Sequence, residues 1–178
     1  MASTLAELHV RGIVHRDVKA SNIMLATSDD SAVLIDLGLA VRLPPPEPGT
    51  ALSATTTYQS ELRCGVPGYM APELHRKRAY GAPVDVFAYG VVLRKLLSRV
   101  QSPPGSLLCD VCMPALYSLT TSSRAYERMH CARTAHPAWP AHMAALARDC
   151  CATEPQARPT FREVLRRLDA SATPSGEA

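Results

Sequence analysis

At 178 residues, 47% of them hydrophobic, the chain suits one domain of ordinary size that buries its own core without disulfide or metal staples. A formal net charge of +3 is too small to argue for nucleic acid or an anionic membrane as partner. No apolar run approaches the roughly 20 residues of a membrane helix, and the opening MASTLAELHVRG lacks the basic flank and apolar stretch of a secretory leader, so the expected compartment is cytoplasmic.

Leu5, Leu8 and Val10 share an apolar face, which predicts the last turns of a helix over residues 4–11 ended by Gly12. Ile23-Met24-Leu25 and Val33-Leu34-Ile35 flank the turn-rich TSDDS and predict a small hairpin. From Arg42 to Ser60 the chain is rich in Pro, Thr and Ser with no periodic apolar face, as in a flexible surface segment. Residues 83–100 are apolar on most sides and predict a buried central helix. Residues 101–138 carry little pattern; 141–151 predict a helix. A last helix follows Pro159, where Thr160 and Glu163 fit a capping box ahead of Val164, Leu165 and Leu168. Residues 171–178 read as a loose tail. The fold class is therefore mainly α with a small β-hairpin region.

Six cysteines, without a leader, read as reduced thiols. Cys109 and Cys112 have the gap of a zinc knuckle. The only companions nearby are His130 and Cys131, whose adjacency is poor chelate geometry, so the favoured reading is a set of small semi-buried residues in a loop-rich insertion.

The string that carries chemistry is His15-Arg16-Asp17-Val18-Lys19-Ala20-Ser21-Asn22, followed directly after the second strand by Asp36-Leu37-Gly38. Phosphoryl transfer needs a group to accept a hydroxyl proton, a cation to neutralise the moving phosphate, and hard oxygen ligands for magnesium. Asp17 suits the first task and Lys19 the second. Asn22 and Asp36 suit the third, with Gly38 letting the backbone turn past the metal. The only Asn of the chain and one of its 3 Lys stand at these positions.

This resembles the eukaryotic protein kinase family, serine/threonine type. HRDVKASN looks like the catalytic loop (15–22), and DLG stands where the family usually has DFG. CGVPGYMAPE looks like the end of the activation segment (36–73), DVFAYG like the buried helix that follows, and RPTF like the entry to the last helix. The resemblance implies Asp17 as catalytic base, Lys19 on the γ-phosphate of ATP, Asn22 and Asp36 on Mg2+, and Met24 beneath the adenine ring. It implies a buried Glu73–Arg158 ion pair, Asp85 capping the catalytic loop, and Arg16 pairing with a phosphorylated activation-segment residue, with Thr55, Thr56, Thr57 and Ser60 as candidates. Protein substrates bearing Ser or Thr are the implied partners.

Two positions depart from the family pattern. Leu37 replaces Phe as an apolar plug against His15, and Val66 stands where serine/threonine kinases usually carry a Thr hydroxyl. A glycine-rich GxGxxG loop does not occur, and all three lysines lie at position 19 or later. The expected architecture is thus a kinase-like C-terminal lobe over residues 1–170, with the N-terminal lobe absent and the chain inactive on its own. The alternative is a catalytically inactive kinase-derived scaffold or docking module.

Overall fold

The computed structural model describes residues 1–29, 31–44, 57–58, 64–99 and 140–172. Helix α1 (Ala2–Val10) ends where the amides of Arg11 and Gly12 turn back onto the carbonyls of Glu7, Leu8 and His9, with Gly12 at φ 68°. That left-handed turn suits a residue without Cβ. The chain then enters the two-residue strand β1 (Ile13–Val14), which pairs antiparallel with β4 (Val41–Arg42), Val14 opposite Val41.

Between them lies the expected hairpin. Strands β2 (Ile23–Leu25) and β3 (Ala32–Leu34) pair antiparallel, with Ile23 opposite Leu34, Met24 opposite Val33 and Leu25 opposite Ala32. The second strand starts one residue earlier than the apolar run suggested, because Ala32 closes the register against Leu25. The β1–β4 pair was not anticipated; two-residue strands are too short to show a period.

Helix α2 (Pro72–His75) begins on a proline, whose missing amide costs nothing at a first helical position. Helix α3 (Pro83–Arg99) is the central element. Its Val86, Tyr89 and Val92 join one cluster with Leu5 of α1, Leu146 of α4 (Ala141–Cys150), and Phe161 and Val164 of α5 (Phe161–Ala172). Its Val84, Phe87 and Val91 join a second cluster with Val14, Leu43, Met70 and Leu74. A helix buried on both faces needs apolar residues on most sides, which is what its sequence carries.

Where α3 crosses α4 there is no room for a side chain at Gly90. A Cβ there would lie 2.7 Å from both Cys150 Cβ and Cys151 Sγ. Helix α5 starts as its sequence implied, the Thr160 hydroxyl accepting the Glu163 amide at 3.3 Å. It runs to Ala172, so Ser171 and Ala172 are helical instead of belonging to the tail. The poorly patterned stretch 101–138, with Cys109, Cys112, His130 and Cys131, lies outside the described residues, as do 173–178. Among the described residues no helix is long and apolar enough to cross a membrane.

Candidate active site

Strand β1 delivers the chain into His15 and Arg16, and the loop that follows is held from below by one carboxylate. Asp85, in the first turn of α3 and fully buried, accepts the His15 amide on Oδ2 and the Arg16 amide on Oδ1, both at 2.8 Å. His9 Nε2 reaches the same Oδ2 at 2.9 Å. These bonds hold Arg16 at φ 66°, a left-handed conformation that a non-glycine residue adopts only when its surroundings fix it. His15 is fully buried; its Nδ1 accepts the Asp17 amide at 3.3 Å, and its Nε2 has no partner among the described residues.

Asp17, Lys19 and Asn22 converge. Lys19 Nζ donates to Asp17 Oδ2 at 2.6 Å, and Asn22 Nδ2 donates to the same oxygen at 3.0 Å and to the Asp17 carbonyl at 2.9 Å. Asp17 and Asn22 are buried while Lys19 is half-buried. Two donors on Oδ2 leave Oδ1 without a hydrogen bond from the described residues, so the carboxylate is oriented at one oxygen and open at the other.

The hairpin brings the fourth residue to the same edge. Asn22 sits in a short 3-10 turn (Ala20–Asn22) leading directly into β2, and the Ile35 amide, just past β3, donates to the Asn22 carbonyl at 2.9 Å. Asp36 follows at φ 66°, exposed, with Oδ1 accepting the Gly38 amide at 2.9 Å. A Cβ on Gly38 would meet that oxygen at 3.0 Å, so the turn is tightest without one.

The donor set fits magnesium. Asn22 uses only its amide nitrogen internally, leaving Oδ1, and Asp36 leaves Oδ2. Two hard oxygens match an ion that keeps several waters and takes its remaining ligands from phosphate. Among the described residues no group of three or more His, Cys, Asp or Glu side chains could form a metal cage of its own. On the outer face of the hairpin, Met24 opposite Val33, with Ile35 two residues on, presents apolar side chains to solvent; Met24 is 57% exposed. Leu37 is likewise 57% exposed, so it does not plug against His15 as its sequence position suggested. Val66 lines a cavity of about 10 Å3 under the loop with Arg16, Asp17, Gly65 and Tyr69, room for a single water.

Glu73 and Arg158 pair as expected, and residues the sequence did not single out complete the surroundings. Gly65, at φ 98°, lies so close to the loop that a Cβ would stand 2.8 Å from the Arg16 carbonyl oxygen. Tyr80 receives Arg16 Nη1 on its hydroxyl at 2.7 Å, and burial pushes that hydroxyl's pKa up against the opposing pull of the guanidinium. Both contacts join stretches far apart in the chain, and no local pattern announces them. Of the phosphorylation candidates, Thr57 is exposed beside Tyr58, and Thr55, Thr56 and Ser60 lie outside the described residues.

Comparison with known proteins shows the family. The protein kinase domain family matches residues 1–168. The chain is 30% identical over 173 residues to the dual specificity testis-specific protein kinase 2 of Rattus norvegicus, covering 95% of this chain and 26% of that protein. It is 41% identical over 95 residues to a probable serine/threonine-protein kinase 2 of Plasmodium falciparum, covering 52% of this chain and 16% of that protein. It is 42% identical over 92 residues to the calcium/calmodulin-dependent protein kinase cmkB of Emericella nidulans, covering 51% and 20%. The chain belongs to the protein kinase domain family. It spans about a quarter of the length of the testis-specific relatives.

Proposed function

We propose that these residues form the C-terminal lobe of a serine/threonine protein kinase, which, completed by a phosphate-covering lobe, transfers the γ-phosphate of ATP to Ser or Thr hydroxyls of proteins. The observation that carries the reading is the convergence on Asp17: Lys19 and Asn22 bind one carboxylate oxygen and leave the other open. On this reading the open oxygen orients and accepts a hydroxyl proton, held by the buried loop around it. The Lys19 ammonium, already beside the carboxylate, stabilises negative charge arriving there. Asn22 and Asp36 would hold the magnesium ion, and Met24 would lie beneath the adenine. When bound, the magnesium nucleotide supplies the phosphoryl group and the charge that neutralises it. The absence of GxGxxG and of a lysine before position 19 supports reading the sequence as one lobe.

Transfer of labelled phosphate from ATP to protein acceptors by full-length protein containing this chain tests the proposal. Tyrosine acceptors belong in the assay because the testis-specific relatives are named dual specificity kinases. Asp17→Asn should lower turnover about 10²–10⁴-fold, the range of a lost acid–base group, with nucleotide affinity little changed. Turnover unaffected by that substitution would remove the reading.

A further inference from the structure

Arg16 touches four stretches of chain at once. Its amide is held by Asp85, its Nε donates to the Leu39 carbonyl at 2.6 Å, and its Nη1 donates to the Tyr80 hydroxyl at 2.7 Å. The guanidinium lies over the Tyr58 ring, 5.9 Å from its centroid. Tyr58 and Tyr80 are themselves locked together. Their backbones form an antiparallel bridge with both hydrogen bonds made, at 2.6 and 2.9 Å, and their rings meet edge to face at 5.7 Å.

We infer that Tyr80 is a positioning residue: its hydroxyl, by pinning the Arg16 guanidinium against Tyr58, fixes the left-handed backbone step on which Asp17 stands, and does so without a phosphate. The physical argument is one of leverage. Arg16 and Asp17 share a peptide bond, so rotation of Arg16 out of φ 66° redirects the Asp17 carboxylate. Two amide bonds to Asp85 fix the loop from one side only, and the side-chain contacts of Arg16 supply the other. Tyr80 is almost fully buried, only 3% exposed, and its ring belongs to the second core cluster, so it is a rigid anchor. A neutral hydroxyl accepting from a guanidinium needs no added charge to hold this geometry. The inference rests on the kinase reading only in the role it gives Asp17.

Hydrogen–deuterium exchange on the full chain tests the clamp without requiring activity. Tyr80→Phe keeps the ring and removes the acceptor; amides of residues 13–22 and 57–58 should exchange about tenfold faster, as for loss of one charge-assisted hydrogen bond. Helices α3 and α5 should stay protected as before. Arg16→Lys, which also loses the Nε bond to the Leu39 carbonyl, should accelerate the same amides at least as much, and the double variant no more than Arg16→Lys alone. Tyr58→Phe should leave exchange unchanged. Acceleration spread through α3 and α5 would mean that Tyr80 merely supports the core, and no change over 13–22 would remove the clamp; either overturns the inference. Phosphatase treatment of the wild-type chain should leave exchange over 13–22 unaltered, and a rise there would overturn it by showing that phosphate holds Arg16. In full-length protein, Tyr80→Phe should lower kcat more than it raises KM for ATP. A wild-type protein with no turnover would sink the kinase reading while leaving the exchange result to judge the clamp.

Discussion

The Glu73 carboxylate and the Arg158 guanidinium meet in two parallel hydrogen bonds of 2.9 and 2.6 Å, 85 residues apart in sequence and both buried. The other three N–H groups of Arg158 reach the carbonyls of Pro83, Ala152 and Thr153, so all five donors are used. Phe87 lies under the guanidinium, 5.0 Å from ring centroid to carbon. Glu73→Gln should therefore cost about 3–5 kcal/mol, because it leaves a cation buried without its counter-charge. Replacing both residues by apolar ones of similar size should cost less than that single change. Urea unfolding of the three proteins measures the order, and a Glu73→Gln protein as stable as wild type would contradict it.

Gly90 offers a steric test of the α3–α4 crossing. A methyl there would stand 2.7 Å from Cys150 Cβ and Cys151 Sγ and 3.3 Å from the Ala147 carbonyl, against groups with little freedom to retreat. Alanine normally favours a helix over glycine by about 1 kcal/mol. Here overpacking should outweigh it, and Gly90→Ala should destabilise by about 1–3 kcal/mol. A raised Tm would show that the two helices separate at no cost.

The proposed magnesium ligands, Asn22 and Asp36, make a prediction about the chain by itself. Two side-chain ligands hold magnesium only weakly, so titration of residues 1–178 should show no tight site. On the proposed one-lobe reading nothing in residues 1–178 covers the triphosphate, so phosphate transfer by this chain alone should be too slow to measure, since positioning supplies much of the catalysis. In full-length protein, Asp36→Asn should abolish turnover at any magnesium concentration. Robust activity from the isolated chain would refute the one-lobe reading.

Alkaline pH should loosen the core at α4. Burial pushes the Cys150 thiol from 9.0 to about 12 and the Tyr89 hydroxyl from 10.0 to about 12. Both groups keep their protons in the fold to higher pH than in the unfolded chain, so the unfolded state binds fewer protons in this window. Their stabilising contribution is intact below about pH 9 and is lost as pH rises through about 12. The denaturation midpoint should fall across that interval, and Cys150→Ala should flatten part of the slope. Cys150 should also resist alkylation at pH 8 in the folded chain, its thiolate being scarce as well as buried.

The long elements were legible because each repeats its pattern over several turns: α3 reads as buried from its apolar run, and α5 from Thr160, Glu163 and the spacing of Val164 to Leu168. The convergence of Asp17, Lys19 and Asn22 was legible because it is local, six residues closing on themselves around a 3-10 turn. Asp36 needed only the hairpin between. What escaped the sequence are distant contacts that no motif marks: β1 with β4, Gly65 against Arg16, and the Tyr80 hydroxyl on the Arg16 guanidinium. Leu37 was misjudged for a related reason. An apolar residue at a motif position suggests burial, but burial is decided by what packs over it, and Leu37 remains largely open.

The placement of Leu5 against Phe161 and Val164 has a consequence for biosynthesis. The first helix leaves the ribosome long before the helix that covers it, and at 5–20 residues per second the wait is on the order of ten seconds. Through that interval Leu5 has no cover from α5, and the Glu73 carboxylate has no Arg158. These contacts close only when the last helix is made, so a nascent chain arrested before residue 158 should be a stronger client for chaperones than one extended past Ala172.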